Sequence, residues 1–185
     1  MRLKPRAFEY VRATSLQDVF AALDRHGDEA KLLAGGQSLV PALNMRLAAP
    51  EIVVDVNAVE DLRGIAVVGD WLRIGALSRY AEVAASDLVA RHAPLIARAI
   101  PFIAHPAIRN RGTFGGSLCN ADPASELPAC ALALQAVLNL RSSGGERAIA
   151  AEDFFIGTYT TALQPNEVLV SVDIPLPVEG AVVFF

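Results

Sequence analysis

The chain has 185 residues, 53% of them hydrophobic and 19% charged, and carries a formal net charge of −4 at neutral pH. That is enough for one sizeable core or for two small subdomains sharing one. The acidic balance, with no Lys/Arg-rich run, argues against a nucleic-acid partner.

No apolar run approaches the roughly 18 residues of a membrane span. No signal-peptide core follows the basic N-terminus, and Cys119 and Cys130 resemble neither a disulfide framework nor a zinc site. A soluble, cytoplasmic domain with reduced thiols is expected.

In chain order, Thr14 and Ser15 are suited to cap a helix over Leu16 to His26, whose Leu16, Val19, Phe20 and Leu23 share one face. Lys31 to Ala34 reads as a short buried strand. A second helix is predicted from the cap Ser38 to about Leu47, with Pro41 in its first turn. "EIVVDV" (51–56) reads as another buried strand. Strand, glycine turn, helix, strand makes a βαβ-like unit, so residues 1–57 are expected to form a small α/β subdomain.

The pattern then changes. "LRGIAVVGDWLRIGAL" (62–77) predicts a hairpin turning at Gly69-Asp70, with Trp71 packing one of its faces. Helices are predicted over Ser78 to Ala85 and Leu88 to Ile100, then a loop carrying Pro101, Pro106 and a second glycine pair. Pro123 is expected to open a helix to about Leu134. Strand-like "AVLNLRSS" and "EVLVSVDIP" (167–175) complete an antiparallel α+β subdomain over 58–177, and "AVVFF" reads as the start of a further strand in 178–185. No internal repeat or low-complexity segment is present.

Two stretches place bare backbone next to a helix start: "LLAGGQSL" (32–39) and "RGTFGGSL" (111–118). Glycine lets an anion approach, and N–H groups before a helix attract negative charge. Gly35, Gly36, Gln37 and Ser38 offer one set of donors. Gly115, Gly116 and Ser117 offer a second, with the Thr113 hydroxyl beside it. Two such nests suit a diphosphate held between subdomains, and two ordinary turns are the alternative. Neither fits GxGxxG or GxxxxGK[ST].

In "NADPASELP", Asp122 and Glu126 either meet a ligand hydroxyl or ring edge, or serve as the cap and first turn of the helix that Pro123 starts. Arg109 and Arg111 either add charge beside a diphosphate or are solvated. Cys119 reads as a small buried residue. His26, His92 and His105 have no ligand spacing, and no Ser/His or Cys/His nucleophile pattern exists, so any chemistry is expected to belong to a cofactor.

"LLAGGQSLVPALNMR" and "IRNRGTFGGSLCNADPASELPA", with "IGAL", "GTYTTALQPNEVLVSVDIP" and the final "FF", resemble the FAD-binding (medium) subunits of molybdenum hydroxylases, the carbon monoxide dehydrogenase and xanthine dehydrogenase family. The resemblance covers nearly the whole chain. It implies an α+β, two-subdomain FAD-binding fold of the vanillyl-alcohol oxidase (PCMH) type. It also implies FAD as cofactor, with its pyrophosphate wrapped by Ala34, Gly35, Gly36, Gln37 and Ser38 on one side and by Thr113, Gly115, Gly116 and Ser117 on the other. Asn120 and Glu126 match positions at the ribityl or flavin region, and Asp122 belongs to the same motif. Leu169 matches an apolar residue packed on the flavin ring; Leu39 and Phe102 or Ile103 match the adenine end.

By the same resemblance the chain is an electron relay, an FAD-dependent oxidoreductase subunit without catalytic or metal-ligating residues of its own. It would take electrons from the iron–sulfur clusters of a partner subunit, filled at the molybdopterin subunit of the same hetero-oligomeric complex, and pass them to NAD, oxygen or a quinone-linked acceptor. Family members continue beyond the point matched by Phe185, so the C-terminal domain of the family is expected to be absent. A non-redox interaction module with weak or no flavin binding is the alternative, and a flavoenzyme acting alone a third reading.

Overall fold

The computed structural model describes residues 4–177; the strand read at "AVVFF" lies outside them. Its N-terminal part runs β1 (Glu9–Arg12), α1 (Leu16–His26), β2 (Ala30–Leu33), α2 (Leu39–Asn44) and β3 (Ile52–Asp55). The strands form a parallel sheet in the order β1-β3-β2. Helix α1 begins where expected because Ser15 and Asp18 make a reciprocal capping box: the Ser15 Oγ accepts from the Asp18 N–H at 3.2 Å, and the Asp18 carboxylate accepts from the Ser15 N–H at 3.0 Å. The predicted stripe of Leu16, Val19, Phe20 and Leu23 is buried against Ile52 and Val54 of β3.

Next come β4 (Ile65–Val68), β5 (Trp71–Gly75), α3 (Tyr80–Ala84), α4 (Asp87–His92), α5 (Pro94–Ala99), α6 (Pro106–Arg109), α7 (Phe114–Asn120) and α8 (Glu126–Ala133). The described chain closes with β6 (Val137–Ser142), β7 (Gly145–Ala150), α9 (Ala151–Phe154), the small pair β8 (Phe155–Gly157) and β9 (Thr160–Thr161), and β10 (Val168–Pro175). An antiparallel sheet in the order β4-β5-β10-β6-β7 places β10 at its centre. Gly69, at φ +57°, turns the β4–β5 hairpin as its sequence predicts. One sheet face, with Leu72, Ile74, Leu138 and Val172, packs on Phe114, Leu118, Leu127 and Phe154 from the helices.

A bulge interrupts the pairing of β10 with β6 between Leu169 and Ser171. Consecutive side chains of a regular strand face opposite ways, and here both neighbours find a core. Val168 is buried in the N-terminal core and Leu169 in the larger one, so a single strand joins the two.

Several elements differ from expectation. The predicted helix Leu88 to Ile100 breaks at Ala93 (φ −138°, ψ 58°), because Pro94 removes an N–H and excludes the helical region for the residue before it. Helix α2 ends at Asn44 rather than Leu47, with Arg46 at φ +60°, and Ser38 makes no side-chain cap bond. Helix α8 begins at Glu126, not Pro123. Asp122 instead accepts from the Ala124 N–H at 2.9 Å in a local turn, and Ser125 occupies the cap position. The "TFGGSLCN" stretch, read as loop, folds as α7.

The opposite sheet face carries an ion pair between Arg73 and Asp173 at 2.6 Å. Burial pushes the Asp173 pKa upward, but hydrogen bonds from Arg73 and Asn139 outweigh it and hold the carboxyl below its ordinary value. A carboxylate whose folded pKa is depressed stabilises the fold above its unfolded pKa, and that stabilisation is lost as pH falls through the folded pKa. Asp173→Asn should therefore unfold at lower urea than the parent at pH 7, and the gap should close as the pH is taken below the ordinary carboxylate range. A gap independent of pH would refute the ion-pair account.

Candidate functional site

Among the described residues, two hollows stand out as large enough for a ligand. One, of about 700 Å³, lies on the Arg73 face of the large sheet, with Asn139, Arg141 and Ser171 in its wall. Its arginines Arg63, Arg73, Arg141 and Arg147 are already set against Glu60, Asp173, Glu146 and Glu167. It includes none of the candidate site residues named from the sequence.

The other, a cleft of about 640 Å³, lies between the N-terminal sheet and the larger subdomain. Ala34, Gly35, Gly36, Gln37, Ser38 and Leu39 enter its wall from the β2–α2 connection. Thr113, Gly115, Gly116, Ser117, Asn120 and Asp122 enter it from α7 and its flanks, and Leu169 enters from β10. Residues about eighty positions apart thus line one cleft. Ile103 lines the cleft too, whereas Phe102, 80% exposed, does not. Glu126 starts α8 outside the lining. Arg109 is spent on the backbone, donating to the carbonyls of Ile103 at 2.9 Å and Ala104 at 2.8 Å. Arg111 does not line the cleft, and its carbonyl lies against Gly35.

The two glycine loops differ in their hydrogen bonding. Among the described residues, the N–H groups of Gly35, Gly36, Gln37 and Ser38 donate to no protein group. The loop is held from its other side, where the Gln37 side-chain amide donates to the Gly35 carbonyl at 2.9 Å, and Gly36 takes φ +72°, a conformation that favours glycine. A row of unpaired N–H groups in the wall of a cleft is suited to an anion.

The second loop is already paired. Phe114 N–H donates to the Ser78 carbonyl at 2.9 Å, Gly115 to Ala76 at 2.9 Å, Gly116 to the Thr113 hydroxyl at 3.2 Å and Ser117 to the Thr113 carbonyl at 3.1 Å. The expectation of a second set of bare donors is corrected on this point. The Thr113 hydroxyl caps α7, and what this loop turns to the cleft is the exposed Gly116 together with hydroxyls. The Ser117 and Ser125 hydroxyls lie 2.8 Å apart.

The glycines have a second reason to be glycine. A Cβ on Gly35 would stand 2.5 Å from the Arg111 carbonyl oxygen and 2.8 Å from the Gly112 Cα. The two loops therefore touch backbone to backbone. Gly112 in turn lies against the buried Tyr80 ring, and Gly115 against Ala76, where an added Cβ would stand at 2.5 and 2.6 Å.

Tyr80 also lines the cleft; burial raises its phenol pKa, a hydrogen bond with Ser117 opposes that rise, and the charge of Glu126 adds to it. The sequence carries no signal for Tyr80, because its role arises only where α3 and α7 meet. Cys119 faces the cleft, with burial pushing its thiol up to about 12.

Among the described residues no group of three His, Cys, Asp or Glu side chains could hold a metal ion. No helix there is long and apolar enough to cross a membrane.

Residues 6–177 match the family model described as the FAD binding domain in molybdopterin dehydrogenase. Subunit alpha of the 6-hydroxypseudooxynicotine dehydrogenase complex of Paenarthrobacter nicotinovorans is 42% identical over 94% of this chain and 58% of that protein. In a solved structure of carbon monoxide dehydrogenase from Hydrogenophaga pseudoflava lacking the Mo-pyranopterin moiety, one chain superposes with a TM-score of 0.92 at 40% identity. The match covers 95% of this chain and 61% of that one. Quinoline 2-oxidoreductase from Pseudomonas putida 86 gives 0.90 at 40% identity, over 94% and 61%. This chain thus spans about three fifths of the length of the relatives it matches.

The contact between the loops is directly testable. Gly35→Ala should destabilise the chain by about 1–3 kcal/mol, the usual cost of forcing atoms into a filled space. Gly144→Ala, whose new Cβ would meet only the Ser142 hydroxyl at 3.7 Å, should stay within about 0.5 kcal/mol of the parent. Equal urea midpoints for the two variants would show that the loops do not touch.

Proposed function

The chain belongs to the family of FAD-binding domains of molybdopterin dehydrogenases, and we propose that it serves as the flavin relay of a molybdenum-containing dehydrogenase. On this reading it takes electrons from an iron–sulfur partner subunit, served by a molybdopterin subunit, and delivers them to an external acceptor. The observation that carries the reading is the row of unpaired N–H groups from Gly35 to Ser38, opening into a cleft large enough for a dinucleotide.

The residues present fit the cofactor. Four backbone donors, two of them on glycines, suit a diphosphate, since they bring positive dipoles to an anion at no rotamer cost. Gly116, exposed opposite them, leaves room for close approach. The amide of Asn120 and the hydroxyls of Ser117 and Ser125 are suited to ribityl hydroxyls, and Leu169 and Ile103 supply apolar wall for flat rings. The chemistry supplied by bound FAD is reversible electron transfer. The chain's own share is to hold the cofactor, orient it and leave one side open to a partner.

On this reading the cleft is not asked to supply an acid or base toward an organic substrate. Its cysteine is held as a thiol, and Asp122 is engaged by the Ala124 N–H and by the Tyr159 hydroxyl. The free cysteines Cys119 and Cys130 fit a reducing, cytoplasmic setting.

The test is a visible absorbance spectrum of the purified chain before and after incubation with FAD and desalting. A retained flavin spectrum, with FAD rather than FMN released on denaturation, is the expected result. A folded chain that stays colourless would overturn the relay in favour of a module that only contacts partners.

A further inference from the structure

We propose that Arg79 and Asn57 form a positioning clamp that sets the gap between the two glycine loops, and through it the affinity for the cofactor's diphosphate. The inference rests on the FAD reading above and extends it to residues that do not line the cleft.

Asn57 follows β3, at the foot of the first loop. Its side-chain amide donates to the Ala34 carbonyl at 2.8 Å, the Leu33 carbonyl at 3.2 Å and the Asp55 carboxylate at 2.7 Å. Asp55 is fixed in turn, accepting from the Asn57 N–H at 2.9 Å and, through its other oxygen, from the Tyr10 hydroxyl at 2.6 Å. With the NH2 group committed to three acceptors, the Asn57 Oδ1 has one orientation, and Arg79 Nη2 donates to it at 2.5 Å. Arg63 holds the same residue from behind by donating to its carbonyl at 2.8 Å.

The other guanidinium nitrogen, Arg79 Nη1, donates to the Arg111 carbonyl. That carbonyl is the one lying 2.5 Å from where a Gly35 Cβ would be. The main chain reinforces the link: Arg79 and Thr113 form an antiparallel bridge, and the Tyr80 N–H donates to the Gly112 carbonyl at 3.1 Å. One planar fork thus spans from the residue carrying the first loop to the residue carrying the second.

Arginine suits this place because a rigid fork serves two acceptors in fixed directions, whereas lysine offers a single point charge. Asparagine suits its own because it must donate to carbonyls on one side and accept on the other. Replaced by aspartate, it would keep the acceptor and turn a carboxylate oxygen toward the Leu33 and Ala34 carbonyls.

The experiment titrates FAD into the apo chain by quenching of flavin fluorescence, with urea unfolding of each apo variant in parallel. Arg79→Met and Asn57→Asp should each weaken FAD binding by about tenfold or more, the scale of a lost hydrogen bond to a charged group. The double variant should lose little beyond the worse single one, because the two residues act as one unit. Arg79→Lys should bind nearly as weakly as Arg79→Met, and it takes over the comparison if Arg79→Met does not fold. As a control, Arg73→Met breaks an arginine–carboxylate pair outside the cleft; it should lower the urea midpoint and leave FAD affinity unchanged.

Wild-type affinity in Arg79→Met or Asn57→Asp overturns the clamp, as does full recovery in Arg79→Lys, additive losses in the double variant or an equal loss in Arg73→Met. A wild-type chain that takes up no FAD brings down the cofactor reading and the clamp with it. A wild-type chain that binds beside variants that bind equally brings down the clamp alone.

Discussion

Among the tightest contacts of the described residues is that between the Gly35 Cα and the peptide joining Arg111 to Gly112, too close for any Cβ. Two loops far apart in sequence are pressed together at their backbones, and much of the site follows from that. The N-terminal sheet must present the end of β2 at that point, which fixes how it meets the larger subdomain. The helix α7 must begin just beyond it, and the cleft opens on the far side of the contact. An added methyl group here separates the loops rather than merely crowding a pocket, because neither partner is a flexible side chain.

This contact also divides the labour between the loops. The first keeps its N–H groups unpaired and is anchored through its carbonyls, by Asn57 and by the Gln37 amide. The second has its donors satisfied, so that α7 is complete in the absence of any ligand. One side is left wanting an anion and the other is a finished wall. Leaving donors unpaired costs the fold free energy, and here that cost falls on one partly buried turn.

Much of this was legible in the sequence where local chemistry decides the outcome. The capping box at Ser15 and Asp18, the apolar stripe of α1, the Gly69 hairpin and the two glycine motifs all act within a few residues. Strand β1 was not legible, because "EYVR" has no buried alternation and is held only at the edge by pairing with β3. Strand β7 is an exposed edge for the same reason. Helix α7 was read as loop because paired glycines disfavour helix; they are kept there by the close approach of Gly115 to Ala76 and by the Thr113 cap. Arg79 and Asn57 carry no motif, since their value lies in a meeting of distant segments. For the glycine at 35, openness to a ligand was the legible half of the reason, and backbone contact the hidden half.

The thiol at Cys119 has a consequence of a different kind. It faces the cleft, yet burial lifts it to about 12, so at neutral pH the thiolate through which alkylation and peroxide oxidation proceed is scarce. On the relay reading the site handles electrons and is exposed to stray oxidants. Here the sulfur most at hand is kept in the form they attack slowest, so chemical wear should reach the protein elsewhere first.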